Sequence, residues 1–166
     1  VSDGPNGARG GIFKYGPRTA CFPVGIGLAA TWNPALIEET GAALGVEAKL
    51  KGARVLLAPT VNLQRTVFNG RNFECHSEDP WLSSEMAVAY VKGVQSQGVA
   101  ATIKHFVGNE SEYQRMSMSS EIPERAHGVG LAGFFAHAAL DGGDHASDPG
   151  DGARCQFLGG DGIVQA

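Results

Sequence analysis

The sequence predicts an α/β fold with parallel strands: a partial (β/α)8 TIM-barrel-like domain, truncated after about three strands. Two short apolar runs, residues 54–59 and 98–103, have the composition of strands buried on both faces. A helical segment precedes each run, so helices and strands alternate as they do in parallel α/β folds. Three strands in roughly 100 residues fit the first part of a barrel that typically needs about 250.

The amino-terminal part of the chain gives weaker signals. Residues 1–19 contain many glycines and prolines, which predicts a loop. The apolar segment that follows, residues 21–32, predicts a short strand that enters a turn.

The first predicted helix follows Asn33, a favourable N-cap residue, and ends before Gly52. Its interior contains Gly41 and Gly45, which each lower helix propensity by about 1 kcal/mol relative to alanine. Because they are four residues apart on one face, we expect them to allow close packing of this helix on a sheet.

A second helix is predicted from Asp79-Pro80 to Gly98. The loop before it, residues 60–78, is longer than the connectors of compact domains, which rarely exceed about 12–15 residues. We therefore expect this loop to be functional.

Composition and charge exclude several classes of function. The chain has 166 residues, enough for one domain, and contains no apolar run near 18 residues, so no membrane segment is expected. Residues 1–127 have 12 basic and 12 acidic side chains, and without a basic patch nucleic acid is not an expected partner. Three widely spaced cysteines indicate neither a disulfide framework nor a zinc site.

No metal or cofactor is expected either. The best candidate ligands are His137, Asp144, His145 and Asp148, and their spacing matches no compact ligand motif.

Lys104 and His105 follow the buried run 98–103 directly. The carboxyl ends of parallel strands are where such folds place their functional groups. The pair therefore indicates either a binding site or only the exit of a strand into solvent, and strand geometry alone leaves both open.

Three motifs in the chain resemble glycoside hydrolase family 3, in particular its fungal-type β-glucosidases. They are Ser2-Asp-Gly-Pro-Asn-Gly-Ala-Arg9-Gly, Gly70-Arg-Asn-Phe-Glu-Cys-His-Ser-Glu-Asp-Pro80 and Lys104-His-Phe106. The resemblance covers residues 1 to about 126 and implies a barrel domain. It also implies that Asp3, Arg71, Lys104 and His105, with Arg9 as a weaker fifth residue, bind the non-reducing sugar in the −1 subsite.

A sugar ring suits these residue types, because its hydroxyls both donate and accept hydrogen bonds. Asp3 can accept from two neighbouring hydroxyls, and Lys104, Arg71 and His105 are expected to donate to others. Hydrogen bonds to charged groups are worth roughly 1.5–3 kcal/mol each, against about 1 for neutral ones.

The function implied by the resemblance is that of a retaining β-glucosidase, which hydrolyses terminal non-reducing β-D-glucosyl residues of oligosaccharides in cellulose breakdown. Such an enzyme needs two carboxylates about 5–5.5 Å apart. The family supplies its nucleophile in a Ser-Asp-Trp sequence, which this chain lacks, and its acid/base usually from another domain. We therefore expect a fragment without catalytic residues that is inactive alone and needs the remainder of its barrel and a second domain.

Alternative functions remain open at this point. The chain could be a non-catalytic carbohydrate-binding or truncated gene product, or a relative that acts on xylosides or N-acetylglucosaminides. The resemblance implies secretion rather than a cytoplasmic location. Asn109-Glu-Ser111 is a glycosylation sequon, which we expect to be shielded beside the site.

The chain departs from the family after residue 126. Residues 127–166 form a glycine-rich tail, with five aspartates against one arginine from residue 128 onward. We expect this tail to have no stable structure, because it lacks the apolar periodicity that would offset the entropy of ordering.

A last expectation concerns the backbone after residue 103. Neighbouring side chains of a regular strand point to opposite faces, so Lys104 and His105 could not both contact one sugar. If both are ligands, the strand must end by residue 103 or 104.

Overall fold

The computed structural model describes residues 1–9, 18–105, 108–123 and 125, and the backbone of 156–158 and 163–165. The helices are α1 (Gly25–Ala29), α2 (Pro34–Leu50) and α3 (Pro80–Ser96), with a 3₁₀ turn at Asn72–Glu74. The strands are β1 (Ser2–Asp3), β2 (Val55–Leu57), β3 (Ala100–Ile103), β4 (Gln156–Leu158) and β5 (Ile163–Gln165).

The described strands form one sheet in the order β1-β2-β3-β5-β4. The first three are parallel, with Ser2 opposite Leu56 and Leu56 opposite Ala101. β5 pairs antiparallel with both β3 and β4. Because β1, β2 and β3 run in the same direction, their carboxyl ends meet at one edge of the sheet.

Both long helices begin at the predicted caps. The Asn33 side chain accepts a hydrogen bond from the Leu36 backbone N–H, and the Asp79 side chain accepts one from that of Trp81. The core lies between these helices and the strands, and includes Leu44, Leu56 and Tyr90. The local capping signals therefore predicted where α2 and α3 begin.

The predicted packing partner of the α2 glycines was wrong. A Cβ on Gly41 would lie 2.5 Å from the Tyr90 carbonyl oxygen, and one on Gly45 would lie 2.9 Å from that of Val94. Both glycines therefore let α2 approach α3 rather than a sheet. Gly93 of α3 makes the reciprocal contact, since a Cβ there would lie 2.1 Å from the Glu38 carbonyl oxygen.

Two other predictions near the amino terminus were also wrong. Ser2–Asp3 is a strand rather than loop, formed by backbone pairing with β2, and a two-residue strand leaves no periodic signal. Residues 25–29 are helical instead of extended, and they bury Leu28 and Ala29. Short apolar runs do not distinguish these two states.

Most of the tail lies outside the described residues. Within it, the described residues are those of strands β4 and β5. The division of the chain at residue 126 and the expected lack of structure in the tail therefore stay predictions. Among the described helices, none has both the length and the apolar character needed to cross a membrane.

Candidate functional site

An ion pair joins the carboxyl ends of β1 and β3. The Lys104 Nζ donates to the Asp3 Oδ1 at 2.7 Å, and the two residues are only 9% and 5% exposed. The Lys104 backbone is held by the loop after β2, since its N–H donates to the Pro59 carbonyl at 3.0 Å and its carbonyl accepts from the Val61 N–H at 2.7 Å. The parallel sheet thus brings together two residues 101 positions apart.

Arg9 binds the other oxygen of the same carboxylate. Its guanidinium donates to the Asp3 Oδ2, at 3.0 Å from Nε, and its backbone N–H donates to the Asp3 carbonyl. Burial alone would raise the pKa of Asp3, but hydrogen bonds and charges from Lys104 and Arg9 lower it below its usual value. Asp3 is therefore an ionised hydrogen-bond acceptor held between two cations.

A carboxylate on α2 fixes the backbone next to Arg9. Glu47 accepts hydrogen bonds from the backbone N–H groups of Ala8 at 2.8 Å and Ala20 at 2.7 Å. Lys51 donates to Glu47 and to the Ala8 carbonyl, both at 2.9 Å. Burial alone would raise the pKa of Glu47, but these donors lower it. Glu47 therefore attaches residues on both sides of Arg9, Ala8 and Ala20, to α2.

Arg71 lies in the long loop, beside two carboxylates. It donates to Glu74 through Nε at 3.0 Å and through a terminal nitrogen at 2.8 Å, and it lies 3.6 Å from Glu112. The hydrogen bonds to Glu74 contribute most to raising the pKa of Arg71, and the charges of Glu74 and Glu112 add to this effect. Thr60, three residues after the end of β2, also donates to Glu74 at 3.4 Å. The predicted functional loop therefore presents a fixed guanidinium.

The strand ends at Ile103, as predicted, and the Lys104–His105 peptide bond is cis. His105 is held by Asn62, whose amide contacts both the backbone and the ring of the histidine. Burial, followed by the charges of Arg71 and Lys104, lowers the pKa of His105 to about 4. The imidazole is therefore neutral at pH 7.

The structure brings the predicted site residues together through one hydrogen-bonded group and through the effect of nearby charges on His105. Asp3, Arg9 and Lys104 form one hydrogen-bonded group, and the charges of Lys104 and Arg71 both act on His105. Their role as sugar ligands stays a prediction.

Sequence reasoning missed three residues of this site. Asn62, Glu74 and Glu112 hold His105 and Arg71, and of these only Glu74 lies within a quoted motif. The position of Asn62 in the long loop was the one available signal. Within the described ranges, no group of three or more His, Cys, Asp or Glu side chains could hold a metal ion, and the four candidate metal ligands lie outside those ranges.

Parallel strands that alternate with helices, and that carry charged side chains at their carboxyl edge, define the class of barrel-type α/β proteins with a polar ligand site. The model of the glycosyl hydrolase family 3 N-terminal domain matches residues 6–136. The chain therefore belongs to glycosyl hydrolase family 3.

Relatives of known name agree with this assignment. The chain is 67% identical over 126 residues to a beta-glucosidase of Rhizobium radiobacter, a match that covers 75% of this chain and 15% of the relative. It is 54% identical over 126 residues to beta-glucosidase B of Emericella nidulans, covering 76% and 15%. The chain thus spans about 15% of the length of these relatives.

Solved structures match as well. The beta-glucosidase of Kluyveromyces marxianus in complex with glucose aligns with a TM-score of 0.77 at 45% identity, covering 82% of this chain and 17% of that one. Beta-glucosidase 3B of Thermotoga neapolitana in complex with glucose aligns with a TM-score of 0.65 at 53% identity, covering 69% and 17%. The predicted fold class, part of a TIM-barrel-like domain, is confirmed.

Proposed function

We propose that this chain forms part of the −1 subsite of a retaining β-glucosidase that hydrolyses terminal non-reducing β-D-glucosyl residues. The observation that carries the proposal is the buried Asp3–Lys104 pair at the carboxyl ends of β1 and β3. It places an acceptor and a donor side by side where barrel enzymes bind their substrates.

In this proposal Asp3 binds the sugar and does not act as nucleophile or acid. Each of its oxygens already accepts from a cation, Lys104 or Arg9, and its pKa is lowered. A general acid would need the opposite shift. The remaining lone pairs of Asp3 can accept from sugar hydroxyls, while Lys104 and Arg71 donate to hydroxyl oxygens.

The reaction itself needs a nucleophile and an acid/base about 5–5.5 Å apart. The sequence contains no Ser-Asp-Trp, so we place both catalytic carboxylates in parts of the whole protein that this chain does not span. Its residues then position the sugar, and such positioning lowers the barrier by fixing the reacting geometry.

Glucose is the proposed sugar because two structurally similar relatives are β-glucosidases in complex with glucose. Xylosides and N-acetylglucosaminides are the competing substrates, which differ from glucosides at one position of the ring. Secretion of the whole protein stays a prediction.

A chimera tests the proposal. The matched segment of this chain replaces the corresponding segment of the Rhizobium radiobacter β-glucosidase, to which it is 67% identical. Turnover is measured with 4-nitrophenyl β-D-glucoside, xyloside and N-acetylglucosaminide. Asp3→Ala and Lys104→Ala are compared with Glu39→Gln, which changes an exposed carboxylate on α2.

We expect the chimera to prefer the glucoside. Each site variant should lower kcat/KM by about 100-fold or more, because a charged hydrogen bond is lost and a buried partner is left unpaired. Glu39→Gln should have no effect. A folded but inactive chimera, or full activity in Asp3→Ala, would overturn the proposal. The 166-residue chain alone should show no turnover.

A further inference from the structure

The side-chain amide of Asn62 holds the backbone of His105 at two points. Asn62 is only 5% exposed and lies in the loop after β2. Its Nδ2 donates to the His105 carbonyl at 3.2 Å, and its Oδ1 accepts from the His105 N–H at 2.8 Å. Because a carbonyl can only accept and an N–H can only donate, these two bonds fix which amide atom is oxygen and which is nitrogen.

With the amide fixed, the same Oδ1 faces the His105 ring, 2.9 Å from Nδ1. An amide oxygen has no hydrogen to donate, so this contact is a hydrogen bond only when Nδ1 carries the proton. The other neutral tautomer would place two lone pairs against each other. A neutral imidazole with its proton on Nδ1 has an unprotonated Nε2.

The doubly protonated form of His105 is also disfavoured. The ring is half-buried, and the cations Lys104 and Arg71 both act on it. A positive charge there would be desolvated and repelled by both cations, although Glu74 and Glu112 offset part of this effect.

We propose that Asn62 is a positioning residue that holds His105 in its Nδ1–H tautomer, so that Nε2 accepts a hydrogen bond from a substrate hydroxyl. The inference rests on the proposed function and refines it. It also reverses the polarity expected from the sequence, where His105 was a donor.

The acceptor role of His105 Nε2 affects which sugars the site can bind. Lys104 and Arg71 can only donate, whereas a hydroxyl can donate to Nε2 and accept from a cation at the same time. A sugar without that hydroxyl would leave buried groups unpaired, which is the kind of contact that discriminates strongly between substrates.

Nitrogen NMR of the 166-residue chain, with ¹⁵N-labelled histidine, tests the tautomer directly. The chain has five histidines, and His105→Gln identifies the resonances of His105 by their loss. At pH 7 we expect a protonated-type shift for Nδ1 and an unprotonated-type shift for Nε2. A proton on Nε2, or averaged shifts for both nitrogens, would overturn the inference whether or not the chimera is active.

Variants then assign the effect to Asn62. Asn62→Leu should abolish the Nδ1–H signature, whereas Asn72→Leu should keep it, because the amide of Asn72 donates to Thr66 in the same loop. Asn62→Asp keeps an acceptor at this position and serves if the leucine variant does not fold. It should retain the proton on Nδ1 and raise the pKa of His105 above about 4. An unchanged signature in Asn62→Leu, or an unchanged pKa in Asn62→Asp, would overturn the inference.

Kinetics of the chimera test the link to substrate. Asn62→Leu should lower kcat/KM for 4-nitrophenyl β-D-glucoside by about 10- to 100-fold, because the ring loses its fixed orientation. A series of monodeoxy glucosides is then compared with the full glucoside. The glucoside that lacks the donating hydroxyl should lose much of its kcat/KM in the parent chimera and little in Asn62→Leu. Equal penalties in both proteins would refute the acceptor role, while an inactive parent chimera would count against the proposed function instead.

Discussion

Asp3→Asn should strongly destabilise the fold. Asp3 and Lys104 have side chains only 6% and 11% exposed, so their ion pair is shielded from solvent. Removing one partner of a buried pair costs about 3–5 kcal/mol, because the other charge stays buried without compensation. Asparagine keeps one oxygen that can accept from Lys104, which favours the lower limit of about 3 kcal/mol. The Arg9 side chain is 57% exposed, so loss of its ion pair with Asp3 should add less than about 1 kcal/mol to the destabilisation.

Urea unfolding of the 166-residue chain at pH 7, followed by circular dichroism, measures this loss. Lys104→Met and the double variant complete a cycle, and the double variant should be more stable than the sum of the two single losses predicts. Glu39→Gln, an exposed change on α2, is the control. A loss below about 0.5 kcal/mol in Asp3→Asn, or additive losses in the cycle, would refute the reasoning.

The same pair predicts a pH dependence. The pKa of Asp3 is lowered in the folded state from 3.8, so its stabilising contribution is complete above about pH 4 and is lost as pH falls through the folded-state pKa. The difference in unfolding free energy between the parent and Asp3→Asn should therefore be constant near neutral pH and shrink below about pH 4. A difference that grows on acidification would contradict the ionised, paired state of Asp3.

Three further changes test the packing around the site. Gly93→Ala should lose more than about 2 kcal/mol of stability in thermal unfolding, because its Cβ would lie 2.1 Å from the Glu38 carbonyl oxygen. Gly27→Ala is the control, because its Cβ would meet only Val24 at 4.0 Å, and it should gain up to about 1 kcal/mol of stability. A similar loss of stability in Gly93→Ala and Gly27→Ala would contradict the tight α2–α3 contact. Tyr90→Phe should lose about 1–2 kcal/mol of stability, because the buried hydroxyl donates to the Pro5 carbonyl at 2.9 Å. Tyr113→Phe, which removes an exposed hydroxyl, is the control. Equal stability of these two variants would contradict the role of the Tyr90 hydrogen bond. Glu47→Gln should increase amide exchange at Ala8 or Ala20, measured by hydrogen-exchange mass spectrometry, since its single amide oxygen cannot accept from both N–H groups as the two carboxylate oxygens do. Protection at both amides as in the parent would refute the role of Glu47.

The elements that the sequence predicted well have local causes. Asn33 and Asp79 cap their helices through backbone groups two or three residues away, so the signal and the structure lie in the same short stretch. β1 could not be found in this way, because Ser2 and Asp3 form a strand only through pairing with β2, more than 50 residues further along the chain. The packing partner of Gly41 was missed for the same reason.

The site residues also divide into those that the sequence indicates and those that depend on long-range contacts. Asp3, Arg71, Lys104 and His105 were selected by resemblance, and parallel pairing then explains how Asp3 and Lys104 meet at one edge. Asn62 could not be selected, because its function depends on a contact with a residue 43 positions away. Its amide has no distinctive sequence context, and only the fold shows that it faces His105.

The balance of charge in the site favours a neutral ligand. Three cations, Arg9, Arg71 and Lys104, are paired with three carboxylates, those of Asp3, Glu74 and Glu112. An anionic sugar, such as a uronate or a sugar phosphate, would have to compete with carboxylates that already occupy these cations, and it would place its own charge beside theirs. A neutral pyranoside needs no such displacement, because its hydroxyls use the lone pairs and hydrogens that the ion pairs leave available. In the proposed function, the paired charges would keep the hydrogen-bonding groups in place before a sugar binds, which would reduce the entropy that binding must overcome.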